Sequence, residues 1–272
     1  MNNTRLDSRS IEFRRKIIDI VGHARRGHIG SAFSIVEILR VLYEDVLRLD
    51  PRNPLWKERD RFILSKGHGC LALYTALAEK GFIKSAELNK FCEFEAMLGG
   101  HPQYDKVPGV EASTGSLGHG LSIGLGIALS GKIDKKDFRT FVLLGDGECN
   151  EGTIWEAAMC ASKHKLSSLT VIIDYNKMQC YGLTCEVMDL EPLADKWLSF
   201  GFDVKEVNGH DIPALRNILG KRRFEGEKPL AVICHTVKGK GVSSLEGNAL
   251  SHHKSKISDD EIKKFYDELE NY

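Results

Sequence analysis

Four short runs in the second half of the chain are dense in Val, Ile and Leu: TFVLL (140 to 144), LTVIID (169 to 174), FDVKEV (202 to 207) and LAVICHT (230 to 236). A strand with one face in water alternates apolar and polar residues, whereas a strand covered on both faces has no need to. Helical stretches separate the runs, so the order is strand, helix, strand. That order predicts an α/β class, a parallel sheet flanked by helices. Right-handed crossovers then bring the carboxyl ends of the strands to one edge.

The first half is helical in pattern. Ile11 to Arg26 and Ser34 to Leu49 repeat apolar residues every three or four positions, which predicts two amphipathic helices joined by GHIGSAF. DPRNP at 50 to 54 breaks the pattern, and residues 70 to 80 and 84 to 94 predict further helices. Leu98 to Gly120 is glycine-rich and aperiodic; a loop this long in a compact domain usually serves a function. The tail SDDEIKKFYDELENY predicts a final helix with Ser258 as N-cap and Glu261 closing a capping box. No repeat, low-complexity tract or composition shift divides the chain, so residues 1 to 272 are expected to form one domain.

Composition narrows the function. Lys plus Arg number 38 and Asp plus Glu 38, a formal charge of zero, so no global field draws the chain to nucleic acid or an anionic membrane. Any anion site must be local. The amino terminus lacks the apolar core of a signal peptide, and no run is long enough to cross a bilayer, which together point to the cytosol. Seven cysteines without a CxxC pair or zinc spacing read as reduced thiols.

The local anion site is sought at LLGDGECNEG, Leu143 to Gly152. Thr153 and Glu156 spell a T-x-x-E capping box, placing a helix from about Ile154 to Lys165 and the loop in a strand-to-helix turn. Gly145-Asp146-Gly147 and Asp174-Tyr175-Asn176 then emerge at the same edge, where α/β sheets bind ligands. A carboxylate and a carboxamide oxygen suit a hard cation such as magnesium, which fills its remaining positions with phosphate and water. Glycines let backbone N–H groups approach phosphate, and a helix N-terminus favours negative charge. A turn role for Asp146 is the plainer alternative. The pattern as a whole reads as a metal-bridged diphosphate site.

GDGECNEG, a helix, then VIIDYNKMQ, with Asn176 thirty positions after Asp146, resembles the thiamine diphosphate motif of the transketolase family. The resemblance extends over nearly the whole chain and implies the thiamine diphosphate-binding fold of the diphosphate-binding type. It implies that Asp146, Asn176 and the backbone carbonyl of Met178 hold Mg2+, or Ca2+ or Mn2+ in its place. It places Gly145, Gly147 and Glu148 at the diphosphate, and Gly115, Leu117 and Gly118 of STGSLGHG in the turn that wraps the cofactor. Leu117 alone would read as core packing. Glu151 matches an acid that links paired active sites; its alternative is a solvated first-turn carboxylate.

Four histidines beside glycine or proline turns fall where the family carries histidines near cofactor or substrate: His28, His68, His101 and His252. Each taken singly is a loop histidine with ordinary hydrogen bonds. By resemblance His28, His68 and His101 contact sugar hydroxyls or assist proton transfer, His68 also meets the cofactor, and His252 lies near the diphosphate or reacting carbonyl. His119 stands where many transketolases have glutamine, and His253 where glycine is common after the last histidine. Lys238 and Lys240 of TVKGKG admit an approach to phosphate, and their plainer reading is as flexible surface lysines. Cys149 reads as a small packing residue.

Thiamine chemistry needs a glutamate to activate the aminopyrimidine. In transketolases it belongs to a second, pyrimidine-binding domain, which a chain of 272 residues is expected to be too short to contain. The resemblance therefore implies the amino-terminal subunit of a split transketolase, inactive alone, in an α2β2 assembly with a separate carboxy-terminal subunit. The implied reaction transfers a two-carbon ketol unit from a ketose phosphate to an aldose. The alternatives are a sulfosugar or branched-sugar transketolase, a deoxyxylulose phosphate synthase, a 2-oxoacid dehydrogenase subunit, and a non-catalytic module that keeps the fold.

Overall fold

Five strands, all parallel, form one sheet in the order β1, β2, β3, β5, β4. They are β1 (Arg61–Leu64), β2 (Thr140–Gly145), β3 (Leu169–Tyr175), β4 (Asp203–Asn208) and β5 (Leu230–His235). The structure is a computed structural model describing residues 4–221, 228–248 and 256–272. Four of the strands match the apolar runs to within a residue or two. β1 has no counterpart among those runs: RFIL is four residues long and leads straight into the polar SKGH, too short to show a period.

The layering explains the apolar runs. Phe62, Leu64, Phe141, Leu143, Ile172 and Val232 face one core, while Ile63, Val142, Leu144, Val171, Ile173 and Ile233 face the other. Every interior strand thus buries both its odd and its even positions. β4 lies at the edge, and there Lys205 and Glu206 are exposed. Charges on an edge strand discourage unwanted pairing.

One face is covered by α1 (Ser8–Ala24), α2 (Ile29–Phe33), α3 (Val36–Val41), α4 (Cys70–Lys80), α9 (Ile212–Leu219) and α10 (Asp259–Glu270). The other carries α5 (His119–Ile133), α6 (Gly152–Lys163) and α8 (Leu193–Ser199), while the short α7 (Thr184–Val187) follows β3. Asp7 caps α1 by accepting from the Ser10 N–H at 2.7 Å. The expected box at α10 forms, with Glu261 N–H to Ser258 Oγ at 3.2 Å and Ser258 N–H to Glu261 Oε2 at 3.0 Å.

Three expectations need correction. GHIGSAF is not a plain link, because it winds into α2. Residues 84 to 94 make only a 3-10 turn, Ser85–Lys90. The T-x-x-E box at Thr153 does not form: α6 begins at Gly152 without a side-chain cap, and the Thr153 hydroxyl donates to the Gly118 carbonyl at 3.1 Å. A tertiary acceptor outcompetes the local one.

Ile173 has no exposed surface in β3. Ile173→Ala is expected to lower the unfolding free energy by about 2–5 kcal/mol, and Ser258→Ala by about 1 kcal/mol through loss of the cap. Urea titration followed by far-UV circular dichroism measures both, and equal costs would contradict these placements.

Candidate functional site

The parallel register sets the site. Gly145 pairs with Asp174 where β2 and β3 end, and the Asp146 N–H donates to the Asp174 carbonyl at 3.2 Å. The loops that follow are stitched together by the Asp146 carboxylate, which accepts from the Gly147 N–H at 2.7 Å and the Lys177 N–H at 2.6 Å. Asn176 donates its amide to Asp174 Oδ2 at 3.0 Å and accepts from the Met178 N–H at 3.1 Å. Asp146 and Asn176 thus come from adjacent strand tips onto one patch, as the motif requires.

Above the tips opens a cleft of about 540 Å³, within the range of small-molecule sites. Among the sequence-predicted residues, His28, His68, His101, Gly115, Leu117, Gly145, Asp146, Gly147, Glu148, Glu151, Asn176 and Met178 line it. The His28 ring lies 5.5 Å from that of His68 and 6.2 Å from that of His101, so the three form one cluster. Gly115 adopts φ +136° close to His101, where a Cβ would come within 2.9 Å of the ring. His252 lies outside the described residues.

Gly118 lies beneath the lining and is held there by Glu148. Glu148 is buried, and its carboxylate accepts from Ser65 Oγ, from the Gly118 N–H at 2.9 Å and from the Gly145 N–H at 3.1 Å. It braces the turn of STGSLGHG against the tip of β2. Gly118 sits at φ +87° with no room for a side chain beside Thr153 and Glu151.

Two lysines join the site, Lys66 without any reading to announce it and Lys238 against its plainer one. Lys66 and Lys238 line the cleft, 1% and 2% exposed, and Lys240 is buried as well, so the surface reading of TVKGKG is overturned. The Lys66 ammonium pairs with Asp174 and donates to the Ser31 carbonyl at 3.1 Å. The Lys238 ammonium lies 3.4 Å from the carbonyls of Met178 and Gln179. A lysine directly after a strand of a parallel sheet points to the ligand edge, and that is the available signal. Cys149 is buried as expected, and all seven cysteines are free thiols.

The electrostatics are unbalanced at Asp146. Burial, then the neighbouring Asp174 charge, push its carboxyl up to about 7 despite its backbone donors. Burial raises Asp174 too, but the Lys66 ammonium more than offsets this and holds it below the ordinary value. Burial and the Lys66 charge bring Lys238 down to about 8. Among the described residues no three His, Cys, Asp or Glu side chains form a metal cluster. The donors on the patch are instead one carboxylate, one carboxamide and peptide carbonyls. An all-oxygen set around an under-compensated buried carboxylate fits a hard divalent cation, not zinc.

Parallel strand tips, a glycine-flanked oxygen donor set and a cleft above them define an α/β protein that takes its ligand at the carboxyl edge of the sheet. Residues 7–270 match the family model of the transketolase thiamine diphosphate binding domain, and the chain belongs to the transketolase family. It is 46% identical over 91% of its length to an apulose-4-phosphate transketolase subunit of Phocaeicola vulgatus, covering 88% of that protein. It is 40% identical over 94% of its length to a 6-deoxy-6-sulfo-D-fructose transketolase subunit of a Clostridium species, covering 93% of it. Among solved structures, Campylobacter jejuni transketolase superposes with a TM-score of 0.88 at 31% identity, over 96% of this chain and 42% of that one. A Pichia stipitis transketolase complexed with sedoheptulose 7-phosphate gives 0.87 at 30%, over 94% and 40%. The chain thus spans about two fifths of those solved transketolases.

A carboxyl raised when folded adds stability below its unfolded value, and that contribution is lost as pH rises through its folded value. Metal-free protein should therefore lose stability relative to Asp146→Asn between about pH 4 and pH 7, with the gap level above. The change is on the order of 2–4 kcal/mol for a shift of this size. Denaturation of both proteins across pH 4.5 to 8.5 measures it; parallel curves would contradict the burial of an ionisable Asp146.

Proposed function

We propose that this chain is the diphosphate-binding subunit of a split transketolase, one domain over its 272 residues. It moves a two-carbon ketol unit from a ketose phosphate to an aldose together with a separate pyrimidine-binding subunit. The carrying observation is the meeting of Asp146, Asn176 and the Met178 carbonyl at adjacent strand tips, with Lys238 over them. Bound thiamine diphosphate would supply the carbon nucleophile that no side chain offers.

The chain's own residues have separable tasks. Asp146, Asn176 and the Met178 carbonyl would hold Mg2+, with Ca2+ or Mn2+ as substitutes of similar oxygen preference. Lys238 would offset diphosphate charge, since Lys66 is already committed to Asp174. Gly115, Leu117 and Gly147 shape the walls. His28, His68 and His101 would bind sugar hydroxyls and exchange protons with them, since imidazole titrates near neutral pH.

Four observations support a partner and an α2β2 arrangement. Lys66 and Lys238 are the only lysines or arginines among the described lining residues, so cations from another chain would suit the sugar's phosphate. Ser122, Ile123, Gly126, Ser130 and Ile133 on α5 form an exposed face without charge. Ile123 and Ile133 stand exposed in that face, and exposed apolar side chains on an uncharged face call for cover. Glu151 and Gly152, exposed at the start of α6, adjoin the cleft and would bring paired sites together. Relatives named as subunits point the same way. Seven free thiols accord with a reducing, cytosolic setting. Among the described residues no helix is long and apolar enough to cross a membrane.

Ketol transfer is expected from the chain mixed with its partner, cofactor and Mg2+, and none from the chain alone. In the complex Asp146→Ala should weaken Mg2+-dependent cofactor binding by more than the 10–100-fold typical of outer-shell partners. Calorimetry and a coupled assay read these outcomes. Robust transfer by the lone chain would refute the split, and unchanged affinity in Asp146→Ala would refute the metal role.

A further inference from the structure

Arg14, Glu37 and His210 form a cluster outside the cleft, with side chains 0%, 1% and 3% exposed. They come from α1, from α3 and from the turn after β4. Arg14 grips Glu37 in bidentate fashion, Nη1 to Oε1 at 2.6 Å and Nη2 to Oε2 at 3.0 Å. The Val237 N–H donates to His210 Nε2 at 2.9 Å, so Nε2 carries no proton. The ring proton is therefore on Nδ1, which faces Glu37 Oε2 at 2.7 Å.

Taking an ion pair wholly out of water is unfavourable, and apolar packing often replaces such pairs without loss. The contacts leaving the cluster suggest what this one does. His210 holds the Val237 N–H, and Arg14 Nε holds the Lys240 carbonyl at 2.7 Å. Between these two points lie Lys238 and Gly239, and the Gly239 N–H donates to the Gly30 carbonyl at 3.0 Å. The backbone carrying Lys238 is thus pinned before, at and after the turn, and the lysine's flexible stem starts from a fixed origin.

We propose that the Arg14–Glu37–His210 cluster is a positioning device that sets Lys238 at the anion end of the cleft. Glu37 orients both partners, His210 fixes the segment's start and Arg14 its end. The inference rests on the reading above that Lys238 meets the diphosphate.

The test is a double-mutant cycle on the complex with its partner, reading thiamine diphosphate affinity with Mg2+ by calorimetry and folding by thermal melts. In His210→Asn the amide can reach the Nδ1 position and keep Glu37 but abandons the Val237 N–H. In His210→Gln a carboxamide oxygen can reach the Nε2 position and keep that bond. His210→Asn is expected to weaken cofactor binding about 5- to 30-fold, within the range of coupling between interacting residues, and His210→Gln to bind nearly as wild type. On a Lys238→Met background His210→Asn should add no further loss. Glu37→Gln, similar in volume, serves the same cycle if His210→Asn does not fold.

Additive losses, unchanged affinity in His210→Asn, or a Gln variant as weak as the Asn variant would overturn the positioning role. If Lys238→Met itself binds as wild type, the placement of the diphosphate falls, and this inference with it. If Lys238→Met weakens binding and His210→Asn adds its full loss, only the positioning role falls.

Discussion

The buried ion pair between Lys66 and Asp174 fastens the site to the sheet. Asp174 has no exposed surface and accepts from Lys66, Ser34, Asn176 and Thr236. Those donors come from the ends of β1, β3 and β5 and from the link between α2 and α3. One carboxylate thus gathers four segments at the carboxyl edge. Removing one member of such a pair leaves an uncompensated buried charge, at about 3–5 kcal/mol. Asp174 also takes the amide of Asn176, which turns the opposite end, the oxygen, toward the Met178 N–H.

The same arrangement leaves Asp146 short of positive charge. Lys66 is committed to Asp174, so Asp146 is surrounded by backbone donors and a like charge. A cation with oxygen preference would relieve this imbalance, and the Met178 and Gln179 carbonyls nearby add donors without adding charge. The tips would therefore suit a positive charge that the described residues around Asp146 do not supply. A diphosphate would balance the metal and Lys238 together.

Much of this is legible in the sequence, and the omissions have physical reasons. The apolar runs and GDGECNEG declare the parallel sheet and its ligand edge, because both-face burial and tight glycine turns leave marks in residue order. β1 leaves no mark, since the four residues of RFIL are too few to establish a repeat. Thr153 misleads because a capping box is a local pattern, while the Gly118 carbonyl that takes its hydroxyl lies 35 positions away in sequence. Lys66 is the costlier omission, and Lys238, for which phosphate is only the second reading, is misjudged for the same reason. A lysine's place inside or outside depends on whether distant segments enclose it, and no window of sequence contains that fact. The histidines His28, His68 and His101 converge for the same long-range reason; resemblance, not spacing, singles them out.

The central claim is that the tips of β2 and β3 share one divalent ion. Anomalous diffraction at the manganese edge, from crystals of the complex with its partner, Mn2+ and thiamine diphosphate, tests this directly. The account predicts one manganese peak per copy of this chain, bounded by the Asp146 carboxylate, the Asn176 carboxamide oxygen and the Met178 carbonyl. A peak elsewhere, or bound cofactor with no metal at those three groups, would contradict it.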